Sequence, residues 1–148
     1  MRIACAFDHA GTPLRDVVLE ALAAAGHEPI DLGADDDYPD AARKAGAALR
    51  DGLAERAIVV CGSGAGVSVA ASKIVGIRAA VGHETYTARQ CVEHDDCNVL
   101  CLGARVIGPA IAADVVRAFA GASFSGEERH VRRLRKIEHI EAEEGQRP

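Results

Sequence analysis

Apolar runs of strand length alternate with longer helical patterns along the chain. The short runs are RIACAF (2–7), EPIDLG (28–33), AIVVCG (57–62), IRAAVG (77–82) and NVLCLG (98–103). Between them lie PLRDVVLEALAAAG, DAARKAGAALRDG, GVSVAASKIVG and ETYTARQCVEHD, each long enough for a crossover helix. Strand, helix, strand in repetition is the pattern of a parallel sheet. AIVV and NVLCL are apolar throughout rather than alternating, as expected of strands covered on both faces. Leu14, Val17, Val18, Ala21 and Leu22 recur at helical spacing, with Pro13 in the first turn and Gly26 just past the end. A further helix opens near Pro109 and runs to about Gly121. The charged stretch GEERHVRRLRKIEHIEAEEG then reads as a C-terminal helix, with a frayed tail from about residue 140 to 148.

The economical architecture is a single α/β domain: a three-layer αβα, doubly wound, Rossmann or flavodoxin-like fold with a five-stranded parallel sheet. The commoner order for five strands, 2-1-3-4-5, is the expectation. It puts the switch point between strands one and three, so DHAG (8–11) and CGSGAG (61–66) should line one crevice.

Composition narrows the function classes. The 148 residues fit one core; with 3% aromatic residues and no tryptophan that core is aliphatic, which argues against stacking platforms for single-stranded nucleic acid. A net charge of −5 argues against broad binding of polyanions, though not against a small anion site. No run approaches a membrane span and the first residues lack a signal-peptide pattern, so the expected location is cytoplasmic, with no membrane partner. Cys5, Cys61, Cys91, Cys97 and Cys101 show no C-x-x-C or zinc-finger spacing, which points to free thiols. Four read as core filler or surface residues, and only Cys61 sits where chemistry is expected.

CGSGAG has the spacing G-x-G-x-G. It matches neither the dinucleotide fingerprint nor the P-loop, and Val67 stands where a phosphatase loop needs arginine. Small residues at a helix N-terminus still let backbone N–H groups of Gly62, Gly64, Ala65 and Gly66 meet a developing negative charge, and a tight ligand-free turn is the plain alternative. Cys61, at the carboxyl end of its strand, suits a general base or a nucleophile, or else is a buried strand-end thiol. Asp8 and His9 follow strand one. His94 falls at the loop entering strand five, an awkward place for a site within one subunit. Arg129, Arg133 and Lys136 share a helical face, which is either solvated or a clamp for a phosphate monoester.

As a set, these residues resemble the ribose-5-phosphate isomerase B family, which includes the galactose-6-phosphate isomerase subunits. The resemblance is carried by DHAG, DYP (37–39), CGSGAGVSVAASK (61–73), GIRAAV (76–81), EHDDCNVLCLGARVIG (93–108) and RHVRR (129–133), in the family's order along nearly the whole chain. It implies an aldose-ketose isomerase of a sugar phosphate, by default ribose 5-phosphate to ribulose 5-phosphate, with no metal or organic cofactor. In that scheme His94 opens the sugar ring and Cys61 takes the proton next to the carbonyl. Gly62 to Gly66 hold the enediolate, and Ser63 helps move a proton between its oxygens. His9, Arg105, Arg129 and Arg133 hold the phosphate, with Asp8 and Tyr38 near the hydroxyls. The family's sites are shared between the subunits of a homodimer, with tetramers left open, and that relieves the position of His94.

One branch of the family uses a glutamate after the loop's last glycine; here that position is Val67, so the cysteine branch is implied. Three departures bear on the substrate: Asp95 and Ser72 replace the family's asparagines, and GADDD (33–37) is short and acidic. A four- or six-carbon sugar phosphate is the alternative within this chemistry. A phosphometabolite-binding module without catalysis is the alternative outside it. A thiol redox protein is disfavoured, because Cys61 has no resolving cysteine nearby in sequence.

Overall fold

The computed structural model describes residues 1–145. Strands and helices alternate as β1 (Arg2–Asp8), α1 (Arg15–Ala24), β2 (Glu28–Asp35), α2 (Tyr38–Arg50), β3 (Arg56–Cys61), α3 (Ala65–Ala71), β4 (Ala79–Val81), α4 (Thr85–Asp95), β5 (Val99–Gly103), α5 (Pro109–Gly121) and α6 (Glu128–Glu144). Every strand pairing is parallel, giving one five-stranded sheet in a single α/β domain.

The strand order is β2-β1-β3-β5-β4, which corrects the expected 2-1-3-4-5. β5 (VLCLG) is buried at every position and pairs with both β3 and β4. β4 is only three residues long and partly exposed, with Val81 facing outward. The longer, wholly apolar strand takes the interior place, where both of its edges are paired, and the short one closes the sheet. The switch point between β1 and β3 is unaffected.

Right-handed crossovers assign the helices to faces. α2 and α3, which carry the chain rightward along the sheet, pack together on one face; α1, α4 and α5 cover the other. β1 reads out both layers by alternation: Ile3, Cys5 and Phe7 enter the core beneath α1, α4 and α5, while Ala4 and Ala6 face α2. The first core is filled by large side chains such as Leu22, Leu100, Val116 and Phe119. The second is largely alanine, including Ala41, Ala42, Ala45 and Ala48.

Local punctuation follows the sequence. Pro13 sits in a single 3-10 turn, Thr12–Leu14, that leads into α1, and Gly26 stands in left-handed backbone just beyond that helix. Pro109 is the first residue of α5 and Gly121 its last. α3 stops at Ala71, earlier than its pattern extends. α6 continues to Glu144, through part of the stretch expected to fray; residues 146–148 of that stretch lie outside the described residues. Among the described residues no helix is long and apolar enough to cross a membrane.

Candidate active site

β1 and β3 are neighbours whose connections leave in opposite directions, so a crevice opens past their carboxyl ends. Asp8 ends β1 and Cys61 ends β3. A pocket of about 340 Å³ occupies the crevice, with Asp8, His9, Tyr38, Cys61, Ser63 and Arg105 on its wall.

Cys61 is buried, and the backbone N–H of Gly64 donates to its Sγ at 3.1 Å. That contact fixes the sulphur and complements negative charge on it. The turn is possible because Gly64 has φ +81°, a left-handed conformation that side chains resist. Ser63, at the exposed tip, accepts the N–H of Ala65 on its Oγ at 3.2 Å. From β5, the N–H groups of Ala104 and Arg105 donate to the carbonyls of Cys61 and Gly62 at 2.9 and 3.0 Å. Two strand ends are thereby tied together, and the Arg105 guanidinium returns over Gly62. Tyr38, in the first turn of α2, lays its ring on Gly66; a Cβ there would lie 3.2 Å from the ring.

On the β1 side, buried Asp8 accepts the Gly11 N–H on Oδ1 at 2.8 Å, which closes the DHAG turn. His9 has Nδ1 2.7 Å from the Asp36 carbonyl oxygen. A carbonyl only accepts, so Nδ1 carries the proton.

The other thiols are core. All five cysteines are free and buried, so none is a surface residue. Burial pushes Cys5 and Cys101 up to about 12, which keeps them protonated. Cys91 and Cys97 meet across the end of α4; hydrogen bonding to Cys97 lowers Cys91, and the same contact with burial raises Cys97.

The remaining sequence candidates lie elsewhere. α4 runs back across the sheet, so His94 in its last turn stands at the amino edge, opposite the edge that carries Cys61. It does not line the pocket, and neither do Asp95, Arg129 or Arg133. His94 instead stacks on His130, with ring centroids 4.1 Å apart. Arg129 and Arg133 are exposed on the first turns of α6, Arg129 Nε lying 2.8 Å from Glu127 Oε2. One chain therefore presents two partial clusters, one at each edge of the sheet. Asp95, exposed next to His94, borders a larger cavity of about 880 Å³ against β4, α4 and α6. That cavity, walled by Val75, Ile77, Ile137 and Ile140 among others, contains none of the other candidates, whereas His9, Cys61, Ser63 and Arg105 line the smaller pocket.

Two histidines escaped sequence reasoning. His83 Nε2 accepts the Gly103 N–H at 2.9 Å and lies against Gly64, behind the cysteine loop; burial lowers its pKa. His130 lies within RHVRR, but its neighbours drew the attention. His83 lies in the turn just past β4 and belongs to no motif of its own; its contact with Gly103 follows from the pairing of β4 with β5. Among the described residues no group of three His, Cys, Asp or Glu side chains is placed to hold a metal ion.

A family model described as Ribose/Galactose Isomerase matches residues 3–137. The chain belongs to the ribose/galactose isomerase family. Ribose-5-phosphate isomerase B of Escherichia coli is 39% identical over 144 residues, covering 95% of this chain and 96% of that protein. D-erythrulose-4-phosphate isomerase of Pectobacterium atrosepticum is 36% identical over 131 residues, covering 85% and 86%. Among solved structures, ribose-5-phosphate isomerase B of Clostridium thermocellum superposes with a TM-score of 0.91 at 42% identity, over 97% of this chain and 99% of that one. Membership of the ribose/galactose isomerase family makes the chain an aldose-ketose isomerase and sets aside the non-catalytic binding module.

Proposed function

We propose that this isomerase interconverts ribose 5-phosphate and ribulose 5-phosphate without a metal or organic cofactor, through a cis-enediolate, in a homodimer with shared sites. The observation that carries the reading is the Cys61 sulphur, held 3.1 Å from the Gly64 N–H in a pocket that also contains Ser63, His9 and Arg105.

The Cys61 thiolate takes the C2 proton of the open-chain aldose, and the electron pair moves onto the carbonyl oxygen. Backbone N–H groups of Gly62 to Gly66 meet the oxyanion where its charge develops. Ser63 passes a proton between O1 and O2, and Cys61 returns its proton to C1 to give the ketose. Asp8 and Tyr38 border the sugar hydroxyls. Arg105 and His9 hold the phosphate, joined by Arg129 and Arg133 of the partner; with Nδ1–H already donated to Asp36, His9 donates to phosphate through Nε2 only as the imidazolium. His94, also supplied by the partner, opens the ring and places Asp95 beside it. This arrangement joins the two partial clusters that a single chain keeps at opposite edges.

Cys61→Ala is expected to abolish turnover and exchange of the C2 hydrogen with solvent deuterium, while inorganic phosphate still binds, because base and clamp are separate groups. Near-normal turnover in that variant would overturn the mechanism. A second reading, the same chemistry on a four-carbon sugar phosphate, draws on the erythrulose-4-phosphate isomerase relative and on Asp95, an anionic acceptor where the family has an amide. Comparing kcat/KM across aldose phosphates of four to six carbons decides between them.

A further inference from the structure

The ring-opening assignment leaves one buried group beside His94 unused. His130 and Asp8 are the buried polar or charged side chains among the described residues, and His130 is 1% exposed. Its ring lies against His94 with centroids 4.1 Å apart and 27° between the planes. The other side of the contact is fixed. Ser125 Oγ lies 2.6 Å from His130 Nδ1, and the same oxygen accepts the Glu127 N–H at 3.3 Å. The Ser125 N–H in turn donates to the carbonyl of Glu93, the residue before His94, at 2.9 Å. His130 is thus bolted through Ser125 to the helix turn that carries His94.

We propose that His130 is a positioning residue for His94, holding its imidazole in one plane and place at the end of α4. This rests on the reading of His94 as the ring-opening group. His94 is half-buried in a last helical turn, where a side chain without a fixed neighbour samples several rotamers. A flat ring held at van der Waals distance selects one of them. Burial, and the neighbouring charge of His94, Arg129 and Arg133, keep His130 neutral against the opposing pull of Glu127. A neutral ring tolerates a protonated His94 against its face, where a second imidazolium would repel it.

The test is a double-mutant cycle with a ring-specific readout. In the free enzyme, His94 ring protons should resonate upfield through the ring current of His130; they should move downfield in His130→Ala and stay upfield in His130→Phe, which keeps a flat ring. With ribose 5-phosphate, kcat should fall about 10- to 100-fold in His130→Ala, the loss expected when a reacting group is misplaced by about 1 Å. His130→Phe should recover most of it. In the His94→Asn background, His130→Ala should cost nothing further, because its effect travels through His94. Losses that multiply in the double variant would overturn the positioning role alone. Wild-type turnover in His94→Asn would instead overturn the ring-opening assignment.

Discussion

At the cysteine loop, function depends on close approach between backbones. A Cβ on Gly103 would sit 2.5 Å from the Ser63 carbonyl carbon and 2.7 Å from its oxygen, so the loop is pressed against the end of β5. Gly103→Ala is expected to push Ser63 aside, costing roughly 1–3 kcal/mol of stability as overpacking does. Its kcat should fall more than its KM rises, since Ser63, which moves the proton between the oxygens, is displaced while Arg129 and Arg133 of the phosphate clamp lie elsewhere; steady-state kinetics with thermal unfolding checks both. His83 and His130 act on the same scale through pH. Burial lowers both below the ordinary 6.5, so the unfolded chain binds protons there more readily than the folded one. Their contribution to stability is complete above pH 6.5 and is lost as pH falls through their folded values. Melting temperature should drop across that acidic window, and His130→Phe should flatten the drop; an unchanged slope would refute it.

At the scale of elements, the end of α4 is the piece that must be held still. Asp96 takes a left-handed conformation (φ 47°) and stops the helix after Asp95, its N–H returning to the carbonyls of Cys91 and Val92. Arg78 braces the turn from the β4 side. Its Nε and Nη2 donate to the Asp96 carbonyl and carboxylate, each at 2.7 Å, and its N–H meets Asn98 Oδ1 at 2.8 Å. The ion pair is partly exposed, which limits its worth. Arg78→Ala is expected to cost about 1–2 kcal/mol and to broaden the His94 ring resonances, observable by denaturant unfolding and NMR. Helix ends at Pro13, Gly26 and Pro109 were legible because proline and glycine act through their own backbone. The place of β4 was not, because edge and centre are decided by competition between IRAAVG and NVLCLG for a partner on β3.

At the scale of the molecule, the proposed site needs two chains. Cys61 stands at the carboxyl edge of the sheet and His94 with Arg129 and Arg133 at the amino edge, so no chain can bring its own pair together without unfolding. Cys61→Ala homodimers should be inactive and His94→Asn homodimers should keep only a low residual turnover, yet activity should rise when the two are unfolded, mixed and refolded together. Random pairing makes half the dimers mixed, each with one intact site, so about a quarter of the wild-type activity is expected. No gain on mixing would mean that base and ring-opening group come from the same chain.

The sequence by itself determined the alternation of strand and helix, the crevice between β1 and β3, and the residues of the Cys61 loop. The alternation and the loop are properties of local periodicity and of short segments, and the crevice follows because strands one and three are neighbours in the expected and the observed order alike. Only the tertiary structure decided that β5 lies inside β4, that His83 props the loop from behind, and that His94 faces His130 rather than Cys61. Those contacts join residues from different elements, and which elements meet is set by pairing and burial across the whole sheet.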